Sequence, residues 1–244
     1  MRGPAWLVLP TFNEAENLER IVAAARAALS SAAPEGFRIL VVDDDSPDGT
    51  GAIADRLAAA HPGEVEVLHR TVREGLGPAY LAGFRHALAA GAGAVMEMDS
   101  DFSHDPADLA RLLAPVREGR ADLALGSRYT PGGAVADWGL TRRLVSRGGC
   151  LYAQAVLTSP VRDLTGGFKC FRAEVLEAID LPSVRSRGYA FQVELTYRTL
   201  RRGFRVLEVP ITFRDRELGQ SKMSWRIAAE ALWLVPALRV RDRG

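Results

Sequence analysis

The chain has 244 residues, 48% of them hydrophobic, enough to build a substantial core and to exclude disorder as its main state. With 31 Lys and Arg against 30 Asp and Glu the net charge is +1, so no global field recruits nucleic acid and any anion site must be a local cluster. Cys150 and Cys170 are too few for a disulfide framework and too far apart for a C-x-x-C redox or zinc pattern; they read as reduced, partly buried thiols of a cytoplasmic protein.

In chain order, the apolar run Ala5–Pro10 predicts a first strand and Ala15–Leu29 a helix. Arg38–Val42 and Gly51–Ala60 repeat the pair, as do Val65–His69 and Pro78–Ala89, then Ala94–Met98 and Pro106–Glu118, before a strand over Leu123–Ser127. Such alternation is the sequence form of β-α-β units around a mainly parallel sheet, and wholly apolar strands such as Ile39-Leu40-Val41-Val42 suit a sheet covered by helices on both faces. The later chain is mixed, with helices expected over Leu144–Leu157, Ala173–Ile179, Phe191–Arg202 and Met223–Leu238 and a strand over Arg205–Val209. With no repeat or long linker, the expectation is one α/β domain over residues 1–222 and a C-terminal helical extension over 223–244 that faces a membrane. The apolar stretch Ile227–Leu238, interrupted by Glu230 and Pro236, is too short to span a bilayer, and Ala5–Leu9 is too short for a signal-peptide core.

In open α/β sheets the ligand crevice lies beyond the carboxyl ends of the strands. Those positions are polar here: Pro10-Thr11-Phe12-Asn13-Glu14, Asp43-Asp44-Asp45-Ser46-Pro47-Asp48-Gly49-Thr50 and Asp99-Ser100-Asp101. Neither a G-x-G-x-x-G dinucleotide fingerprint nor a Walker phosphate loop is present. Two carboxylates one residue apart at a strand end can share a hard divalent cation whose other ligands are waters and diphosphate oxygens. The same pair also reads as a solvated acidic turn or a cap for the helix at Pro106. Asp43, Asp44 and Asp45 repel one another unless cations, helix N-termini or a ligand rich in donors offset the charge, and Asp44 is assigned to a nucleoside. Asp48 and Thr50 read as structural caps. Of the four histidines, only His104 stays a candidate, because it neighbours the carboxylate pair.

Val8-Leu9-Pro10-Thr11-Phe12-Asn13-Glu14, Val42-Asp43-Asp44 with Ser46-Pro47-Asp48-Gly49-Thr50, Met98-Asp99-Ser100-Asp101, Gly126-Ser127-Arg128-Tyr129 and Leu164-Thr165-Gly166-Gly167-Phe168 together resemble the family 2 inverting glycosyltransferases. More narrowly they resemble the polyprenyl (dolichyl) phosphate mannosyltransferases that use GDP-mannose. The likeness runs from Leu7 to Lys222, with Arg216-Glu217-Leu218-Gly219-Gln220-Ser221-Lys222 its most discriminating later segment. It implies a single-domain nucleotide-diphospho-sugar transferase (GT-A-like) fold, with nucleotide-sugar contacts from Pro10, Phe12, Glu14, Val42, Asp44 and Ser100. It also implies Mg²⁺ or Mn²⁺ on Asp99 and Asp101 aided by Ser103, phosphate contacts from Arg128, Arg216 and Lys222, and a catalytic role for Asp99, Asp101 and Arg128. The implied partners are GDP-mannose, a polyprenyl phosphate, the cytoplasmic face of a membrane bound peripherally and a separate membrane-embedded protein; nucleic acid is not among them. Three positions depart from the pattern: Asp45 stands where Gly is common, so that an unusual dihedral is expected there, Ser100 where Ala is common, and Gly167 where Ser often precedes Phe.

A phosphate acceptor is already ionised near neutral pH, so the absence of an evident Ser-His or Cys-His nucleophile fits transfer without a strongly perturbed base. Two rival readings keep the fold: a transferase acting from another nucleotide sugar on a saccharide hydroxyl, with Glu194 as its base, and a noncatalytic sugar-nucleotide-binding module. For membrane contact, Leu140, Leu144, Val145, Leu151, Tyr152 and Val156 recur at helical spacing beside Arg142, Arg143 and Arg147, a pattern that suits either a bilayer surface or an ordinary core-facing helix. Trp225, Ile227, Leu232, Trp233 and Leu234 form a second such candidate.

Overall fold

In a computed structural model that describes residues 2–184, 186, 188–215 and 233–240, Tyr189 by its backbone alone, the first strand β1 (Ala5–Thr11) is buried along its whole length. Ala5, Leu7 and Leu9 enter one apolar cluster while Trp6 and Val8 enter another, so successive side chains feed opposite faces of the sheet. An unbroken apolar run is what a strand covered on both faces requires.

The order is β1, α1 (Ala15–Ala32), β2 (Phe37–Asp43), α2 (Thr50–Ala60), β3 (Val65–His69), α3 (Leu76–Ala89), β4 (Ala94–Glu97), α4 (Leu109–Arg117), β5 (Leu123–Ser127), β6 (Ala134–Val135), α5 (Leu140–Leu157), β7 (Lys169–Arg172), α6 (Ala173–Ala178), α7 (Gly188–Arg201), β8 (Val206–Pro210) and β9 (Thr212–Phe213). Among the described residues seven strands form one sheet in the order β3-β2-β1-β4-β7-β5-β8, parallel except for β7, and β6 pairs with β9 in a separate two-stranded sheet. Leu18, Ile21 and Val22 of α1, Ala54 of α2 and Leu112 and Val116 of α4 fill one face. Tyr80 and Phe84 of α3, Val175 of α6 and Phe191 and Leu195 of α7 fill the other. A third cluster joins Leu125, Ala153 and Leu157 of α5, Val193 and Tyr197 of α7, and Val235 and Leu238 of the helical residues 233–240.

The mainly parallel sheet agrees with the sequence pattern, and β7 is the strand that the pattern does not mark. Its four residues begin and end on charged side chains, and Lys169 is tolerated at zero exposure because Glu97, its register partner on β4, supplies a carboxylate 3.1 Å away. The helix expected over Pro106–Glu118 starts as a 3₁₀ turn, Pro106–Asp108, whose first N–H donors meet the Asp105 carboxylate through Ala107 N at 2.9 Å. α5 begins at Leu140 rather than Leu144. The expected boundary at residue 222 and most of the Met223–Leu238 helix lie outside the described residues.

Candidate active site

The loops after β1, β2 and β4 are built by their own polar residues. Asp43 accepts hydrogen bonds from Thr11 Oγ1 (3.2 Å) and Ser46 Oγ (2.6 Å), which ties the ends of β1 and β2 together. Asp48 accepts from Thr50 N (3.0 Å) and from Ala15 N (3.1 Å), so it caps the starts of both α2 and α1. Burial alone would raise the Asp48 carboxyl, but these bonds outweigh it and hold the group below its ordinary range. Each of the three loops turns through one non-glycine residue in the left-handed region: Asn13 (φ 57°), Asp45 (φ 58°) and Phe102 (φ 59°). Asp45 therefore holds the dihedral that glycine would adopt without strain.

These loops rim a crevice of about 460 Å³ that gathers Pro10, Phe12, Glu14, Asp44, Asp99, Ser100, Asp101, Ser103 and Arg128. Val42 is not among them: its side chain is fully buried in the second apolar cluster, and its carbonyl accepts from Thr11 Oγ1 at 3.4 Å. Arg216 and Lys222 lie outside the described residues. Because the sheet runs β2-β1-β4-β7-β5, the crevice has an internal order. Asp44 and Phe12 sit at the β2/β1 end, Asp99 and Asp101 follow β4 in the middle, and Arg128 and the Thr165-Gly166-Gly167 turn occupy the β5/β7 end.

Asp44 takes the Arg70 guanidinium at 2.5 Å, yet burial still raises its carboxyl above the ordinary value. Asp99 accepts from Tyr80 Oη at 3.1 Å, and burial together with the nearby Asp99 charge keeps that phenol a neutral donor. Asp101 accepts from Ser103 N at 3.0 Å. Ser100 Oγ donates to the Pro10 carbonyl at 3.1 Å, so the serine at this position links the β4 end to the β1 end.

Two carboxylates and a hydroxyl are hard oxygen donors of the kind Mg²⁺ and Mn²⁺ prefer. Among the described residues the buried Ser103 Oγ makes no hydrogen bond, and neither does the buried His104 Nδ1 beside it. No group of three or more His, Cys, Asp or Glu suited to a metal occurs among the described residues, so the protein would supply the carboxylate pair and leave most positions to water and substrate phosphates. The residues fit such a cation.

At the far end Arg128 is held, not free. Its Nε and Nη2 donate to Asp163 at 2.7 and 2.6 Å, and Nη2 also donates to Thr165 Oγ1 at 2.8 Å. Arg128 thus lines the crevice, as expected of it, and does so paired with Asp163. His104 is buried between the rings of Phe168 (4.9 Å) and Phe213 (5.1 Å), and burial drives its pKa down to about 4, leaving it neutral. Glu194 does not line the crevice; it is bound to Arg198 at 2.5 Å and accepts from Ser186 N at 3.2 Å.

Arg73, Trp138, Arg142 and Gln192 also line the site and escape sequence reasoning. Arg73 lies 3.7 Å over the ring of Phe12. Arg142 turns inward onto Asp215 (2.8 Å) and stacks at 4.2 Å on Trp138, so it does not belong to an outward basic face. The six apolar positions of α5 also divide: Leu140, Leu144 and Leu151 are 78, 72 and 54% exposed, Val145 is less so at 38%, and Tyr152 and Val156 pack on the third cluster. At roughly 100° per residue the two sets fall on different stripes, which the sequence spacing alone had merged.

The sequence profile described as glycosyl transferase family 2 matches residues 6–180. The chain belongs to this family. Polyprenol monophosphomannose synthase of Mycolicibacterium smegmatis is 50% identical over 237 residues, 97% of this chain and 87% of that protein. Undecaprenyl-phosphate mannosyltransferase of Micrococcus luteus is 49% identical over 225 residues, 92% of this chain and 89% of that one. Among solved structures, glucosyl-3-phosphoglycerate synthase from Mycobacterium tuberculosis, in complex with Mn²⁺, UDP and glucosyl-3-phosphoglycerate, shares the fold of this glycosyltransferase with a TM-score of 0.69, at 19% identity over 97% of this chain and 80% of that one. Among the described residues no helix is long and apolar enough to cross a membrane.

Proposed function

We propose that this glycosyltransferase moves mannose from GDP-mannose to a polyprenyl phosphate with inversion, giving polyprenyl phosphate mannose and GDP. The observation that carries the reading is that two lipid-phosphate mannose transferases are 50% and 49% identical across 97% and 92% of the chain. The order of groups along the crevice supports it. The nucleoside end lies by Asp44, Phe12 and Arg73, the diphosphate over Asp99 and Asp101, and the acceptor enters at the β5/β7 end beside Arg142 and Trp138.

A bound divalent cation would neutralise the diphosphate. The chain's own task is to orient reactants: Tyr80 fixes Asp99, Ser100 fixes the loop against Pro10, and Arg128 and Arg142, each already paired with a carboxylate, carry positive charge at the end where the phosphate enters. An acceptor phosphate oxygen attacks the anomeric carbon on the face opposite the diphosphate; the new C–O bond forms as the bond to GDP breaks, and the electron pair leaves on GDP. The nucleophile arrives ionised, so the crevice needs no carboxylate base, which agrees with Glu194 being tied to Arg198. Leu140, Leu144 and Leu151 on α5 and Trp233 at 84% exposure supply an apolar surface for peripheral contact with the bilayer that carries the lipid.

The test is transfer of radiolabelled mannose from GDP-mannose into an organic-extractable product, with polyprenyl phosphate present, with and without Mg²⁺ or Mn²⁺. Metal-dependent label in the lipid phase is expected. Label that appears only with a saccharide acceptor, or from a UDP-sugar donor, would replace the reading.

A further inference from the structure

Beneath the acceptor end of the crevice lies a buried polar group that none of the assigned roles uses. Lys169 on β7, at zero exposure, donates from Nζ to Glu97 Oε1 (3.1 Å), to the backbone oxygen of Gln192 (3.3 Å) and, at closest range, to Gln192 Oε1. Burial pushes the Glu97 carboxyl up and the Lys169 ammonium down, each opposed by the other's charge, and the nearby Gln192 side chain also acts to lower Glu97. An ammonium has only donors, so the amide oxygen of Gln192 must face it and Nε2 must point the other way. The lysine therefore decides the orientation of an amide that could otherwise flip.

Gln192 is 3% exposed, lines the crevice, and its Nε2 makes no hydrogen bond among the described residues. That nitrogen borders the Gly166-Gly167 turn so closely that a Cβ at Gly167 would stand 3.2 Å from it. A buried N–H donor without a partner costs free energy that a bound acceptor atom would recover.

We infer that Gln192 Nε2 is a donor to the acceptor phosphate, with Lys169 and Glu97 as the positioning residues that aim it. The inference rests on the phosphate acceptor proposed above. A neutral amide suits that substrate: it donates to an oxyanion without needing to be protonated, whereas a carboxylate at the same place would repel the phosphate and serve only an acceptor that has a proton to lose.

The test compares Gln192→Met, which keeps length and bulk but removes both polar atoms, with Gln192→Ala. Steady-state transfer is measured against polyprenyl phosphate and against GDP-mannose separately, alongside direct GDP binding in Mn²⁺ and thermal unfolding. A lost hydrogen bond to a charged group is expected to raise KM for polyprenyl phosphate about tenfold or more in both variants. GDP affinity is expected to stay at the parental value. An acceptor KM that does not change, or KM values for both substrates and GDP affinity that weaken together, would overturn the inference and leave Gln192 a support for the Lys169 pair. A parental chain that transfers nothing to polyprenyl phosphate, yet binds GDP, would overturn the acceptor reading and this inference with it.

Discussion

Asp163 receives three hydrogen bonds from Arg128: from its backbone N at 2.9 Å, from Nε at 2.7 Å and from Nη2 at 2.6 Å. The carboxylate has no exposed surface, and it braces the residue that begins the loop after β5. Removing it would leave a buried guanidinium uncompensated. Asp163→Ala is therefore expected to lower stability by about 3 to 5 kcal/mol. The midpoint of urea unfolding checks this, and a variant as stable as the parent would show that the pair is not what holds the crevice wall.

The same pair sets an acid limit. Burial raises the Asp163 carboxyl, but Arg128 outweighs that and holds it below its ordinary value; Asp122 is lowered first by its hydrogen bond from Arg205. A folded pKa below the unfolded value of about 3.9 means the contribution is complete above that pH and is lost as pH falls through the folded pKa. Urea midpoints should already decline between neutrality and pH 5, where the unfolded chain protonates His104 and the folded chain, with its pKa near 4, does not, and should fall more steeply below pH 4 as Asp163 and Asp122 take up protons. Stability that is flat or rising on acidification from pH 5 to pH 3 would contradict both assignments.

Asp45 sits at φ 58° with an exposed side chain. Asp45→Gly is expected to raise stability by about 0.5 to 1 kcal/mol, the left-handed strain relieved exceeding the entropy glycine adds to the unfolded chain. Asp45→Ala should lower it. Urea melts with an unchanged slope would report both signs, and a loss on glycine substitution would mean that the side chain holds the loop by contacts of its own.

How much of this was legible in the sequence depends on the kind of signal each residue carries. β1, β2 and β5 announce themselves as apolar runs, and Asp99-Ser100-Asp101 stands out because it comes just after the end of a strand. Lys169 and Gln192 carry no such mark: each looks like a surface residue until the fold brings Glu97 to the same buried spot. Arg142 reads as an outward charge because the sequence does not reveal Trp138 and Asp215 on its inner side. Val42 enters the expected site only through the family resemblance, and the pleat turns its side chain into the core.

The exposed leucines of α5 offer a test that leaves the crevice untouched. Replacing Leu140, Leu144 and Leu151 together by Ser should abolish co-sedimentation with anionic liposomes. Transfer to a short, water-soluble prenyl phosphate should persist. The parent's binding should weaken at high salt, because Arg143 and Arg147 are exposed on the same helix. Sedimentation unchanged by the triple substitution would move the docking surface elsewhere, and a parent that never sediments would assign delivery to a separate membrane partner or to the lipid alone.

The central claim, that the carboxylate pair after β4 is where mannose is passed to a lipid phosphate, is tested most directly by Asp99→Ala and Asp101→Ala. Each is assayed with GDP-mannose, polyprenyl phosphate and Mn²⁺ beside thermal unfolding of the same samples. Both side chains stand at the crevice and outside the apolar clusters, so the fold should survive. The account predicts lipid-linked mannose reduced by about a thousandfold or more in each variant, as expected when electrostatic stabilisation of a leaving group is lost, with cooperative unfolding retained. Metal-dependent transfer at the parental rate in either variant would contradict it.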